Sequence, residues 1–397
     1  MSPKKNFLIL TSDSGFGHRS AANAIAKAMK LQHPQDSTTV IVNPMVEEPA
    51  MPLLKMSEQN YDRLVMNNPK LYRFAYEISD SRPASELVEN TLTLAMYHDM
   101  RQLIHEVHPN AILSTNQNFS GPTGAVINTM KDRPPFYTVV TDFGEVHSMW
   151  FNDNPDRFFV ANEGVRSKAI SCGIDLQKIH ISGIPVNPEF AANHPTKADL
   201  RVSLGLDPLL PTLLFVGSRR VSGILQHLKV LHPAPFPFQV VVIAGGNNDL
   251  YEEARHRTWR FPNKVLNFVT NMPEWMLCAD LLVTKAGGLI TSEALAAGLP
   301  LALIDYLPGQ EEGNVRFILD HQAGAVANTP KELNDLVNDW LKDDEAALQA
   351  MVSNAHRCGH PEAALVIADA LWQADEIPVT KKTSRWAPRG HREHIPG

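Results

Sequence analysis

The sequence has few cysteines, no long apolar run and no excess of positive charge. Its three cysteines, Cys172, Cys278 and Cys358, are scattered without a Cys-X-X-Cys pair, which fits a reducing cytoplasm and predicts no zinc site. No stretch approaches the roughly 20 consecutive apolar residues that a membrane span needs. The net charge of −7 argues against a general nucleic-acid-binding protein. We therefore expect a protein that is soluble or lies on a surface, and that binds no nucleic acid.

The first and the last residues of the sequence each have a recognisable pattern. The first residues lead from a short apolar run straight into a glycine turn, which indicates a first strand rather than a signal peptide. Residues 381–397 hold five Lys or Arg residues against one acid, together with Trp386. Two interpretations of this basic tail stay open. It is either disordered, or an interfacial anchor to anionic lipid, where Lys, Arg and Trp are favoured.

Strand-like apolar runs alternate with helical patterns along nearly the whole chain, which is typical of an α/β fold with parallel sheets. A polar, proline-bearing stretch from Gly183 to about Asp207 is the best interdomain linker candidate. We predict two doubly wound, Rossmann-like domains, 1–190 and 205–358, that face a central cleft. We also predict that a C-terminal helix, 361–375, packs back on the first domain and that 376–397 is the basic tail.

The most informative stretch is Thr284–Asn314, in which two successive strand-to-helix turns carry glycine. Glycine lets the backbone approach a ligand closely, and a helix N-terminus offers free N–H groups to a phosphate. A carboxylate one turn into such a helix, here Glu293, can accept two ribose hydroxyls. The stretch therefore predicts a nucleotide-sugar site. Its candidate residues are Gly287, Gly288, Thr291, Ser292, Glu293, Gln310 and Glu311.

Other turns of the second half suit the same ligand. The backbone N–H groups of a Gly-Ser turn, with an arginine beside them, can hold a diphosphate. The segments after the next two strands are expected to line the nucleotide pocket and to bracket a uracil. Glycine is common at such turns, so their shared position at one sheet edge carries the prediction. The candidates are Gly217, Ser218, Arg219, Gly245 and Met272.

A glycine turn in the first half carries a histidine. The run Gly15–Ser20 fails as a dinucleotide fingerprint, because Ser20 occupies the third glycine position and Asn43 ends the second strand where an acid is needed. NAD is therefore not expected. His18 lies where strand gives way to helix, and the helix dipole should lower its pKa and favour a neutral, base-competent imidazole. His18 is either a catalytic base or a histidine bonded to its own turn.

Another strand of the first half ends in Asp142 and His147. Asp142 either orients His18 or contacts substrate, or it caps the following turn. His147 either approaches a phosphate or an acceptor, or has no such role.

The segment Met51–Ser79 mixes apolar residues, including Tyr61 and Tyr72, with Lys and Arg. It lies where a compact fold has a short loop. Two interpretations remain: an ordinary inserted helix pair, or an amphipathic surface that meets a lipid interface.

Together these segments resemble the glycosyltransferases related to monogalactosyldiacylglycerol synthases and processive diacylglycerol glucosyltransferases. The enzyme that adds N-acetylglucosamine to lipid I is a more distant relative. The resemblance extends to about residue 375. It is carried by GFGHRSAANAIAKAM, NYDRLVMNNPKLYRFAYEIS, TDFGEVHSMW, GIPVNPEF, NMPEWMLCADLLVTKAGGLITSEALAAGLPLALI and PGQEEGN.

The resemblance implies a GT-B fold, with an acceptor-binding N-terminal domain and a nucleotide-sugar-binding C-terminal domain. It implies inverting transfer from UDP-glucose or UDP-galactose to a diacylglycerol-type lipid, without a bound metal or cofactor, at the cytoplasmic face of an anionic inner membrane. In this family Glu293 would hold the ribose, Gln310 and Glu311 would contact the sugar, and His18 would be the base. The acceptor-side candidates are Gly17, His147, Tyr61 and Tyr72.

The chain departs from the family pattern in two places, so the donor sugar stays open. The loop GSRRVSG is shorter than usual, and Ala286 stands where proline often precedes the double glycine. Three alternatives remain: a polyprenyl or soluble acceptor, a UDP-sugar epimerase or hydrolase of the same fold, and a nucleotide-sugar binder without activity.

Overall fold

The computed structural model describes residues 4–13, 17–46, 78–80, 82–144, 146–221, 223–233, 236–342 and 346–374. The calls on Tyr61, Tyr72, nearly all of the Met51–Ser79 segment and the basic tail lie outside these residues. Within this part of the chain, no helix is both long enough and apolar enough to cross a membrane.

The N-terminal half is built on a parallel six-stranded sheet of order β2-β1-β3-β4-β5-β6. Its strands are β1 (Lys5–Leu10), β2 (Ser37–Val42), β3 (Ala111–Ser114), β4 (Phe136–Val139), β5 (Arg157–Val160) and β6 (Ile179–Ile181). Its described helices are α1 (Gly17–Gln32), α2 (Arg82–Val107), α3 (Ser120–Ile127) and α4 (Glu163–Ser171).

The C-terminal half repeats this architecture with the order β12-β11-β10-β7-β8-β9, again all parallel. Its strands are β7 (Thr212–Val216), β8 (Gln239–Ile243), β9 (Asn263–Leu266), β10 (Leu281–Lys285), β11 (Leu301–Asp305) and β12 (Gly324–Val326). The described helices are α5 (Lys197–Ser203), α6 (Ile224–Val230), α7 (Asn248–His256), α8 (Met272–Cys278), α9 (Gly288–Ala296), α10 (Glu312–Asp320), α11 (Pro330–Trp340), α12 (Ala346–Cys358) and α13 (Ala363–Trp372).

Both sheets lie inside the protein because their strands are apolar on both faces. Every residue of β7 and β8 is buried, as the continuous apolar runs of parallel strands require. In each sheet the strand order reverses once, between β1 and β3 and between β7 and β10. Ligands of such sheets bind beyond the strand ends at these reversal points. We therefore expect a ligand site at the loops after β1, β7 and β10.

The last described helix returns to the first sheet. In α13, Ile367 and Leu371 join the core that also contains Ile25 and Met29 of α1. Trp372 stacks on His33 with ring centroids 3.7 Å apart. This crossing ties the C-terminal end of the chain to the N-terminal half.

Candidate active site

A cavity of about 200 Å³ lies between the two halves, at the reversal points of both sheets. It unites residues that lie far apart in sequence. Its lining includes Gly17, His18, Asp142, Gly288, Glu293 and Gln310. A larger cavity of about 840 Å³ lies beside Phe143 and Phe317, and none of the sequence-predicted site residues that the structure describes line it. The smaller cavity is therefore the candidate active site.

His18 enters the cavity from the first turn of α1. The Thr115 hydroxyl donates to the His18 backbone carbonyl at 3.1 Å, and His18 Nδ1 lies 3.1 Å from Thr141 Oγ1. Burial, with a smaller contribution from the charge of Arg220, lowers the pKa of His18 to about 4, although the bond with Thr115 acts in the opposite direction. The imidazole is therefore neutral near pH 7. The residue that orients its ring is Thr141, which corrects the prediction that Asp142 does so.

Asp142 follows Thr141 at the end of the same segment and lines the cavity. Burial, together with the negative charge of Glu311, raises the pKa of Asp142 to about 7. The Asn314 amide and the Lys285 ammonium act in the opposite direction. Asp142 thus titrates in the range in which a general base works best.

The double glycine brings the halves together. A Cβ on Gly288 would lie 2.3 Å from the Thr141 carbonyl oxygen and 3.0 Å from Asp142 Oδ1. Gly287 precedes α9 as its N-cap, without a capping side chain, so the first N–H groups of that helix are offered to the cavity. Gly288 thus lies close to the backbone of the other half, and its predicted approach to a ligand stays a prediction.

Glu293 lies one turn into α9 and lines the cavity. Burial raises the pKa of Glu293 to about 8. Among the residues that the structure describes, its carboxyl group has no hydrogen-bond or ion-pair partner. A half-buried carboxyl group without a partner is costly unless a ligand completes its hydrogen bonds.

Glu311, by contrast, is already engaged. Its carboxylate forms an ion pair with Lys285, and its second oxygen accepts a bond from the Leu307 backbone N–H at 2.8 Å. It therefore fixes the loop that carries Gln310. Lys285 was missed in the sequence because a single lysine at a strand end carries no motif.

The two arginines after β7 face different cavities. Arg220 lines the cavity between the halves together with Gly217 and Ser218. Arg219 lines a separate cavity with Asn247. The role of Arg219 at the diphosphate stays a prediction, and Arg220 is a second candidate because it lines the cavity between the halves.

Four other predicted residues do not line the cavity. Gly245, at φ 61°, packs so closely that a Cβ would lie 2.1 Å from the Gly217 carbonyl oxygen. Ser292 donates to the Gly288 carbonyl within α9, and Thr291 is fully buried beside it. Met272 begins α8. The structure gives these residues a part in shaping the turns.

His147 is buried away from the cavity, contrary to its predicted acceptor role. Its Nδ1 accepts a bond from the Met149 backbone N–H at 3.1 Å, so the ring proton lies on Nε2. Nε2 is 3.0 Å from Ser79 Oγ. Both ring nitrogens are thus used to hold a turn. The described part of the chain contains no group of three or more His, Cys, Asp or Glu residues suited to a metal ion.

Comparison with known proteins follows the same division into halves. A model of the family described as monogalactosyldiacylglycerol (MGDG) synthase matches residues 18–186, and one described as the glycosyltransferase family 28 C-terminal domain matches residues 213–366. Monogalactosyldiacylglycerol synthase 3 of Arabidopsis thaliana is 31% identical, over 96% of this chain and 84% of its own.

Two solved structures share the fold at low identity. The MurG structure of Acinetobacter baumannii has a TM-score of 0.58 and 15% identity, covering 94% of this chain and 100% of its own. The UDP-GlcNAc 2-epimerase of Neisseria meningitidis, bound to UDP-GlcNAc, has a TM-score of 0.54 and 12% identity, covering 93% of this chain and 100% of its own. The first of these likenesses supports the predicted GT-B fold.

Proposed function

Since the chain belongs to the monogalactosyldiacylglycerol synthase family of glycosyltransferases, we propose that it transfers a hexose from UDP-glucose or UDP-galactose to diacylglycerol, with inversion at the anomeric carbon. One observation carries this proposal. His18 and Asp142 of the N-terminal half share a single cavity with Gly288 and Glu293 of the C-terminal half. Candidate residues for a base and for donor binding therefore lie on opposite walls of one cavity, which supports the proposal.

The C-terminal wall suits the donor. The carboxyl group of Glu293 lacks a partner among the described residues, so it is available to two ribose hydroxyls. The N-terminus of α9 and the guanidinium of Arg220 suit the diphosphate, which gains negative charge as the sugar departs. These groups supply the electrostatic stabilisation of the leaving group.

The N-terminal wall suits the acceptor. If Nδ1–H of His18 donates to Thr141 Oγ1, Nε2 is left as an acceptor for the proton of the glyceride hydroxyl. A second candidate base is Asp142, because its pKa of about 7 lies closer to the working pH than that of His18. The displacement is direct, so the same base serves the whole reaction.

We also place the protein at the cytoplasmic face of an anionic membrane, as a peripheral protein. Leu87 and Leu94 support the contact with a membrane surface. They lie seven residues apart on α2 and are 68% and 64% exposed. Because seven residues make nearly two helical turns, both side chains lie on one face. Apolar side chains in that arrangement favour an interface.

The test is incubation with diacylglycerol vesicles and each UDP-sugar in turn, followed by analysis of the lipid products. We expect one glycolipid whose anomeric configuration is opposite to that of the donor. Glu293→Gln is the matched control, since it keeps the side-chain shape. Consumption of UDP-sugar without a lipid product would indicate an epimerase or hydrolase, and transfer only to a polyprenyl or soluble acceptor would replace the proposed acceptor.

A further inference from the structure

Asn314, the third residue of α10, is fully buried at the boundary between the halves. Its Oδ1 accepts a bond from the Phe143 backbone N–H at 2.9 Å, and its Nδ2 donates to the Ala286 backbone carbonyl at 2.9 Å. The same Nδ2 lies 3.5 Å from Asp142 Oδ1, which is a long contact. One side chain therefore joins three groups.

These groups belong to the two walls of the candidate active site. Phe143 directly follows Asp142 in the N-terminal half. Ala286 directly precedes the Gly287–Gly288 turn in the C-terminal half. The Asn314 amide therefore spans from the base-bearing segment to the donor-binding turn.

The surrounding packing leaves little freedom for this bridge to shift. A Cβ on Gly144 would lie 2.3 Å from the Gly313 Cα atom. Phe143 stacks on Phe317 with ring centroids 4.7 Å apart. The halves thus lie in close contact around Asn314.

We propose that Asn314 is a positioning residue that sets the Asp142 carboxylate against the Gly287–Gly288 turn by bridging the two halves. It touches no reacting atom. Its importance for turnover rests on the proposed function, whereas the bridge itself does not.

The chemistry of the bridge requires an amide. A primary amide donates to one buried backbone group and accepts from another at the same time, which a carboxylate of the same shape cannot do. Alanine would leave both backbone groups buried without partners. Glu311 and Lys285 also face Asp142, and His18, Arg220 and Glu293 line the same cavity. Asn314 differs from these neighbours because its amide N–H is held in place by the two backbone bonds and lies beside the Asp142 carboxylate.

Asn162 offers a matched comparison. Its Nδ2 donates to the Phe143 carbonyl at 2.7 Å, and its Oδ1 caps α4 by accepting from the Val165 N–H. It holds the same residue, Phe143, but from within the N-terminal half. Asn162→Asp keeps the cap and removes only the bond to Phe143.

The test compares Asn314→Asp, Asn314→Ala and Asn162→Asp with the unmodified protein. Amide hydrogen exchange of the peptide that contains Phe143 should accelerate at least tenfold in Asn314→Ala, whereas Asn314→Asp keeps an acceptor for the Phe143 N–H and loses only the donor to the Ala286 carbonyl. Turnover should fall about 10²-fold, since displacements near 1 Å have such effects, while UDP affinity stays within about threefold. The acid limb of the pH profile should move upward in Asn314→Asp, because a new carboxylate faces Asp142, and should stay in place in Asn162→Asp.

UDP binding also serves as the control for correct folding of the variants. Normal exchange at Phe143 in Asn314→Ala would overturn the bridge. Loss of UDP affinity in proportion to turnover would make Asn314 a donor ligand, and an equal shift of the acid limb in Asn162→Asp would make the effect general. If the unmodified protein makes no glycolipid yet exchange still accelerates in Asn314→Ala, the proposed function fails and the bridge stands.

Discussion

Gly288 and Thr141 belong to opposite halves of the protein and lie in contact, with no room between them for a methyl group. The Cβ of an alanine at 288 would lie 2.3 Å from the Thr141 carbonyl oxygen, far inside van der Waals contact. At Gly287 the nearest atom to such a Cβ would be 3.5 Å away, which is ordinary packing. Two adjacent glycines therefore have different reasons to be glycine.

We expect Gly288→Ala to destabilise the closed arrangement by about 1–3 kcal/mol, the usual cost of overpacking. Gly287→Ala should leave the free energy of unfolding within about 0.5 kcal/mol, since its φ of −70° suits alanine. Urea unfolding and small-angle scattering of the ligand-free proteins measure both effects. Equal behaviour of the two variants would contradict the contact between Gly288 and Thr141.

The buried carboxyl group of Glu293 should lower the free energy of unfolding of the ligand-free protein. Its pKa is raised by burial from an ordinary 4.5 to about 8, so the folded protein binds the proton more tightly than the unfolded chain does. Stability should therefore fall as the pH rises from about 4.5 to about 8.

Glu293→Gln removes this dependence. We expect the variant to be about 1–3 kcal/mol more stable than the parent at pH 8 and nearly equal to it at pH 4.5. UDP affinity should fall more at pH 8 than at pH 4.5, because the amide replaces a carboxylate that accepts from two ribose hydroxyls at pH 8, whereas at pH 4.5 Glu293 is itself neutral. Thermal unfolding and calorimetric titration with UDP provide the readouts. A variant with unchanged pH dependence would show that Glu293 is ionised without cost.

The sequence predicted most of this architecture, because parallel strands buried on both faces show as plain apolar runs. Thr212–Val216 and Arg157–Val160 are strands of this kind. The helices at Ser120–Ile127 and Asn248–His256 were missed, since the first is apolar all round and the second is short and polar.

The site was predictable where a residue follows a strand end at a sheet reversal, as His18 and Glu293 do. It was not predictable where the choice depends on a side-chain direction or a distant partner. Arg219 and Arg220 differ by one position, and nothing in the sequence shows which faces the cavity. The bridge from Asn314 to Phe143 joins residues 171 positions apart.

The adjacent arginines give a matched pair for the donor site. Arg220 lines the cavity, whereas Arg219 faces away from it. We expect Arg220→Ala to weaken UDP binding by about tenfold or more, as the loss of a charged hydrogen bond implies. Arg219→Ala should stay within about twofold. Calorimetric titration at constant ionic strength compares the two, and a reversed order would support the prediction for Arg219.

The two candidate bases predict different pH profiles. Since the pKa of Asp142 is about 7 and that of His18 is about 4, a rate that needs ionised Asp142 rises with pH through about 7. If His18 is the base, His18→Ala should lower kcat/KM by about 10²–10⁴-fold at every pH and should leave in place the acid limb that belongs to Asp142.

Asp142→Asn should remove the acid limb near pH 7, because the titrating group is gone. An acid limb that persists near pH 7 in Asp142→Asn would assign it to another group. If His18→Ala instead keeps near-normal turnover with intact UDP binding, Asp142 is the base. The Thr141 hydroxyl then has no catalytic ring to orient, so Thr141→Val should be as active as the parent. If His18 is the base, Thr141→Val should be less active, because valine cannot accept a bond from Nδ1–H and so no longer favours the tautomer in which Nε2 is unprotonated.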